Sequence, residues 1–436
     1  LFIVFAAYSV NVHLQLKPRY SHVIIFAISL LFQLLISLHY TFIGEGDLRH
    51  YYNNASALVE NHFQLPSLYA AVFPGTITYP AVLAVLMTLF GTGRIVAAVA
   101  NGIGMSFALC CVYAILKRRV SNKLALFSSL LLSLHPFILI YSNTVNAELL
   151  YGAFILYSLT AFDAAMHTEA AARVRRVMLY SLSALFLGCS VLFRPLGIIL
   201  LAAYCLTLLL FPRGRLHRRA LVAAGLGCVF FLCNLMDGYI VKQITTFDPP
   251  KQAYGWNLYV GLSKFGTWNQ SDADEFTEVI HHASTSSEVQ TYFAAKAFER
   301  MRELGFDLVP HALKKIKFWN PVRYVASEVR RDDKTGRHSM ADSQNVVEIA
   351  AFSFDTPIFL IGLIGCVWGL VKRRKSDLLS SVIAFYITGT FLALSILESG
   401  DRYTISHHIL LVIPAVLFVA DMLTLSQRKQ SRGRIS

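Results

Sequence analysis

The sequence predicts an all-α polytopic membrane protein, and three observations carry the prediction. Its 436 residues are 55% hydrophobic and only 15% charged, with a mean hydropathy of +0.53, far from the balance of a soluble domain. Apolar runs recur at lengths near the roughly 20 residues that cross a bilayer as a helix, and the alternating segments of an outer-membrane barrel are missing. Lys and Arg gather in alternate short loops between those runs.

The runs fall at 1–15, 22–43, 96–116, 123–141, 148–166, 177–193, 195–211, 219–237, 351–371, 378–397 and 408–425, eleven candidate spans in chain order. Basic residues are retained on the cytoplasmic side of a membrane. Lys17/Arg19, Lys117/Arg118/Arg119/Lys123, Arg173/Arg175/Arg176, Arg213/Arg215/Arg218/Arg219, Lys372/Arg373/Arg374/Lys375 and Arg428/Lys429/Arg432/Arg434 therefore mark cytoplasmic loops. Loops 44–95, 142–147, the Arg194-Pro195 turn, 238–350 and 398–407 are left facing outward. The apolar stretch 76–91 would break this alternation if it spanned, so it is expected as an interfacial or re-entrant helix. Three regions follow: a transmembrane module at 1–237 that includes the outer loop 44–95, a small soluble subdomain at 238–350, and C-terminal spans with a basic tail at 351–436. An amphipathic helical pattern lies around 288–304 within the subdomain.

The net charge of +13 sits in short inter-span loops, which reads as topology and excludes a nucleic-acid footprint. All seven cysteines lie in or beside apolar runs with no CxxC pair, so neither a disulfide framework nor a metal site is expected. Glycine-rich phosphate loops, HExxH and GxSxG are missing as well. Without a nucleotide-binding fold, a transferase of this kind must take an activated group already in the membrane, with no cofactor.

The unusual charges crowd at the outward loops. Asp47, in GEGDLRHYYNNA, falls within about one helical turn of the hydrocarbon edge, where a carboxylate is expected to face a protein cavity. The competing reading is a helix cap, with Gly44 and Gly46 as turn residues. His50 and Tyr51 share its helical face and are candidate substrate contacts. Glu148, in YSNTVNAELLYG, repeats the geometry at a second outer edge, where it also offsets a helix dipole.

Arg194 in LFRPLG and Arg402 in ESGDRYTISHH are basic residues on the side that positive-inside bias disfavours, and a guanidinium there suits a phosphate. Snorkelling is the alternative for Arg194, and a local ion pair with Glu398 or Asp401 for Arg402. Arg94, Lys314, Lys315, Glu398 and Tyr403 are further candidates for substrate contact, although Lys314, Lys315 and Lys317 also read as an interfacial anchor. Asp163, His135 and Asp237 sit near helix ends and read as solvated or capping.

Several segments together resemble the GT-C glycosyltransferases, in the branch of protein O-mannosyltransferases and lipid A aminoarabinose transferases. They are GEGDLRHYYNNA, FPGTITYPAVLAVLMTLFGTGR, NTVNAELLYGAFILYSL, NLYVGLSKFGTWNQSDAD and ESGDRYTISHHILLVIPAV, in that order over about 22–420. The resemblance implies a GT-C-type bundle of about 11 transmembrane helices with juxtamembrane helices and a small loop subdomain on the outer face. It implies a metal-independent, inverting hexosyl- or pentosyltransferase of a bacterial plasma membrane, active at the extracytoplasmic face. The partners implied are the lipid bilayer, a polyprenyl-phosphate sugar donor and an acceptor hydroxyl on a glycan, lipid or protein.

By position, the resemblance makes Asp47 the general base, Glu148 the second acid, and Arg194 and Arg402 the holders of the donor phosphate. The sequence departs from the family in carrying Glu where several relatives have Asp, and in a reduced outer domain. A flippase or transporter for lipid-linked sugar or polysaccharide is the alternative, and crowding of charge at one face argues against it.

Overall fold

The computed structural model describes residues 18–39, 47–169, 171–211, 215–322, 344–371 and 378–433, and among them no strand occurs. α1 (Pro18–His39) is followed by α2 (Asp47–Glu60), the short α3 (Leu68–Val72) and α4 (Gly75–Phe90). α5 (Ile95–Lys117), α6 (Asn122–Leu132), α7 (Pro136–Tyr141), α8 (Glu148–His167), α9 (Arg173–Ser190), α10 (Gly197–Leu210) and α11 (Leu216–Thr245) continue the bundle. A polar stretch then folds as α12 (Gly255–Gly261), α13 (Gln270–His282), α14 (Ser286–Leu304) and α15 (Leu308–Lys314), before α16 (Gln344–Val371), α17 (Leu378–Ile396) and α18 (Ile405–Gly433).

Among the described residues seven helices are long and apolar enough to cross a membrane: α1, α5, α8, α11, α16, α17 and α18. The shorter α4, α6 and α10 are also apolar. The protein is thus an integral membrane protein of all-helical architecture. The candidate span 1–15, Gly44 and Gly46, and the basic residues at 372–375 lie outside the described residues.

One expected span is interrupted. Residues 123–141 form two helices, α6 and α7, because Pro136 has no N–H and its ring collides with the carbonyl one turn back. His135 fills the gap as a cap, its Nδ1 accepting from the Phe137 amide at 3.2 Å. The stretch expected at 76–91 is α4, which packs on α2.

In a lipid-like surrounding, helices associate through close packing and hydrogen bonds between them. Gln33 of α1 donates to Ser106 of α5 at 3.2 Å, and Ser158 of α8 meets Tyr204 of α10 at 2.9 Å. Gly362 and Gly365 let α16 approach the backbone of Leu411 and Pro414 in α18, where any Cβ would collide. Asp163 corrects the sequence reading of a solvated or capping group. It is 2% exposed and takes hydrogen bonds from both Arg118 and Arg119, because the ends of α5 and α8 meet there. Asp237 is likewise buried, in α11.

A second, smaller core belongs to the polar stretch. Trp256 and Tyr259 of α12, Phe276 of α13 and Val289 and Phe293 of α14 bury one another, and Val72 of α3 joins them. Asn269 and Thr285 cap α13 and α14 by accepting from the amides three residues on. The subdomain therefore packs on the segment that follows α2.

Candidate active site

Four charged side chains from distant parts of the chain meet at one end of the bundle. Asp47 opens α2 and Glu148 opens α8, so two positive helix ends converge on one place. Arg194 lies in the turn between α9 and α10, and Arg402 lies in the 3-10 turn Asp401–Thr404 that leads into α18.

Arg402 Nη2 donates to Asp47 Oδ2, and Arg194 Nη2 donates to Glu148 Oε1. Arg402 Nε is also 3.4 Å from the same Glu148 oxygen. Both guanidiniums lie over the Tyr403 ring, at 5.0 Å for Arg194 and 5.2 Å for Arg402. Neither alternative from the sequence holds for the arginines: Arg194 is turned inward onto Glu148, and Arg402 pairs with Asp47 and Glu148 in place of a local ion pair with Glu398 or Asp401.

Local structure explains the placement. The 142–147 segment, expected as an outward-facing loop, is buried throughout. Its polar groups are satisfied from within: Asn101 of α5 donates to Thr144 O at 2.9 Å, and Asn146 accepts from the Leu149 amide. Asn146 thus serves an amide in the first turn of α8, and Glu148 Oε1 in the same turn takes Arg194.

The loop carrying Arg402 is held from the subdomain. Glu398 N donates to Asn257 O at 2.6 Å, Ser399 N to Gly266 O at 3.1 Å, and Lys315 Nζ to Leu397 O at 2.8 Å. A Cβ at Gly261 would strike the backbone of Ile396, Leu397 and Glu398, so α12 must be glycine there.

The field of the cluster follows from its composition. Burial acts to raise the Asp47 carboxyl, but Arg402, with help from Arg194 and His50, outweighs it and holds the group below the ordinary carboxylate value. Burial raises Glu398 above its ordinary value, against the pull of Arg402. Burial also lowers the Lys315 ammonium to about 8, and Glu398 opposes that effect.

The remaining sequence candidates divide. Tyr51 is 2% exposed and lies in the field of both arginines and both carboxylates, whereas His50 on the next position is exposed. Lys315 is buried, not the exposed anchor the sequence suggested, because Gly266 leaves room for its stem. Lys314 is exposed on α15. Arg94 lies 5.2 Å over the Tyr52 ring. The sequence reading missed Tyr69 of α3, whose hydroxyl is raised to about 12 by burial with Asp47 and Glu398 adding to it. It also missed Tyr79 of α4, 5.4 Å from Tyr51, and Asn101. The only signal for these was a polar group within an apolar run.

A separate cavity of about 490 Å³ opens between α16, α17 and the 3-10 turn Lys315–Trp319. Trp319, Phe352, Phe359, Leu363 and Phe391 form its apolar walls, and Asp355 and His408 line it too. His408 Nδ1 is 2.8 Å from Asp355, and His135 Nε2 approaches the other carboxylate oxygen at 3.3 Å.

The chain matches no protein-family model and no curated protein. Solved structures do resemble it. The archaeal oligosaccharyltransferase AglB from Archaeoglobus fulgidus, in complex with an inhibitory peptide and a dolichol-phosphate, aligns over 95% of this chain and 52% of its own at 14% identity, with a TM-score of 0.52. The apo form of the Archaeoglobus fulgidus oligosaccharyltransferase aligns over the same shares at 16% identity and a TM-score of 0.51. ArnT from Cupriavidus metallidurans bound to undecaprenyl phosphate aligns over 89% of this chain and 77% of its own at 14% identity, with a TM-score of 0.42. The chain spans about half the length of the oligosaccharyltransferase it matches. Its fold is that of this oligosaccharyltransferase.

Proposed function

We propose that the protein is a membrane glycosyltransferase that moves a sugar from a polyprenyl-phosphate donor to an acceptor hydroxyl at the extracytoplasmic face. The observation that carries this reading is the Asp47, Glu148, Arg194 and Arg402 cluster at one end of a GT-C-type bundle. The fold is shared with an oligosaccharyltransferase solved with a dolichol-phosphate, which supports a lipid-phosphate ligand here.

In this reading the two guanidiniums receive the phosphate, since a planar fork gives paired charge-assisted bonds to its oxygens. Asp47 accepts the proton of the acceptor hydroxyl as that oxygen bonds to the anomeric carbon. The bond from the anomeric carbon to the phosphate oxygen breaks, and its electron pair leaves with the lipid phosphate. The arginines neutralise the charge that develops on this leaving group. A single displacement inverts the anomeric configuration. The apolar cavity beside Trp319 offers a surface for the lipid chain within the membrane. Basic loops on the opposite side of the chain's topology support a site that faces away from the cytoplasm.

The test is reconstitution in liposomes with a labelled polyprenyl-phosphate sugar. Acceptor-dependent release of free polyprenyl phosphate, lost in Asp47→Asn, is the expected result. Protected movement of the intact donor without release would replace this reading with a flippase.

A further inference from the structure

Both guanidiniums at the site are engaged by carboxylates, and the two engagements differ. Glu148, which holds Arg194, has a side chain only 3% exposed, whereas Asp47, which holds Arg402, is 42% exposed. Arg402 is also steadied from a second direction, with its Nε 3.4 Å from Glu148 Oε1. One arm of the cluster is walled in, and the other faces the open side.

We propose that Asp47 and the donor phosphate compete for the same Nη2 of Arg402, while Glu148 acts as a positioning residue that keeps the guanidinium in place through Nε during the exchange. This rests on the reading of the preceding subsection. Donor binding then frees the Asp47 carboxylate for the acceptor hydroxyl, so the base is released only when a leaving group is in place.

Charge and hydrogen-bonding capacity both lead to this exchange. Two arginines facing two carboxylates make a neutral group, and a phosphate arriving beside it meets no net attraction while both pairs persist. Withdrawal of Asp47 leaves Arg402 partly uncompensated beside the incoming anion. The pair that yields must be the one whose carboxylate water can reach, because separating Arg194 from the buried Glu148 would strand the Glu148 charge away from solvent. A guanidinium carries five N–H donors in a fixed fork, so Nη2 can change partner while the ionic contact of Nε with Glu148 Oε1 persists. The buried Nε of Arg194 has no hydrogen-bond partner among the described residues, and it leaves a further donor at the site. The exchange itself moves no proton and breaks no covalent bond. The subsequent transfer sends the hydroxyl proton to Asp47 and the electron pair of the broken bond to the phosphate.

The consequence is contrary to ordinary expectation for a catalytic base: removing its charge should strengthen donor binding. The test is titration of the purified full chain with undecaprenyl phosphate, measured by native mass spectrometry or ligand-induced thermal shift. Asp47→Asn should bind roughly two- to fivefold more tightly than the wild type, as expected for loss of one partly exposed competing pair. Asp47→Ala serves as a second variant if the amide perturbs folding. Arg402→Gln should bind more weakly, and adding Asp47→Asn to it should bring no tightening. Inorganic phosphate at matched ionic strength should follow the same order.

Equal or weaker binding by both Asp47 variants, with Arg402→Gln still impaired, overturns the competition and leaves the lipid-phosphate reading standing. Equal tightening with uncharged undecaprenol also overturns it. Failure of every variant and the wild type to bind undecaprenyl phosphate removes both the inference and the proposed function.

Discussion

The Nε of Arg402 lies 3.4 Å from Glu148 Oε1 while its Nη2 donates to Asp47, so a single guanidinium joins the start of α2 to the start of α8. The three residues come from two helix starts and a 3-10 turn that lie far apart in sequence, and the link sets the geometry on which the proposed chemistry depends. The predictions that follow act on this link and on the contacts that hold it.

Arg402→Lys keeps the charge but loses the fork, and an ammonium on a flexible stem does not hold two carboxylate directions at once. Donor binding is expected to weaken by roughly 10- to 100-fold, the range set by losing a hydrogen bond between charged groups. Equilibrium binding of undecaprenyl phosphate measures it, and an unchanged affinity in Arg402→Lys would remove the fork from the account.

Glu148→Gln leaves the inward-facing Arg194 without its counter-charge, and breaking a buried pair from one side costs about 3–5 kcal/mol. A marked fall in thermal stability in detergent is therefore expected. Replacing both partners, as Glu148→Gln with Arg194→Met, should restore much of that stability while transfer stays lost. A double variant no more stable than Glu148→Gln would contradict the pairing.

Gly261→Val drives a side chain into the Ile396 to Glu398 backbone, and so moves the loop that carries Arg402. Loss of transfer with helical content retained is expected. Gly225→Val, where the new Cβ meets open space, should be neutral and serves as the control. Full activity in Gly261→Val would show that the subdomain does not hold the loop.

The pH dependence follows from who holds Asp47. In the free protein Arg402 keeps the carboxyl below its ordinary value of 3.8, so the ionised base persists on acidification until pH drops below the usual carboxylate range. Once the phosphate takes Arg402, the lowering by that guanidinium is lost and the group rises. Because kcat/KM reports the free enzyme and kcat the complex, the acid limb of kcat should lie at higher pH than that of kcat/KM. Coincident limbs would count against the exchange of partners.

Hydropathy and the periodic return of basic loops determined the membrane location and the all-helical class, because a bilayer admits only helices or closed barrels and the apolar runs have helical length without barrel alternation. They also brought Asp47, Glu148, Arg194 and Arg402 to one face, since topology is written in charge. The exceptions were local. Pro136 is visible in the sequence, but hydropathy runs unbroken over 123–141 where the structure divides it into α6 and α7. Asp163 reads the same whether solvated or clasped, until α5 and α8 are seen to end together around Arg118 and Arg119.

Which carboxylate each arginine meets was decided by tertiary structure alone. Arg402 lies next to Asp401 and four residues from Glu398, yet it pairs with Asp47, 355 positions away. Nothing in local sequence selects that partner. The choice comes from the subdomain pinning residues 397–399 through Asn257, Gly266 and Lys315, and from the meeting of the starts of α2 and α8 at that loop. The sequence determined where the charges would gather, and packing determined how they are paired.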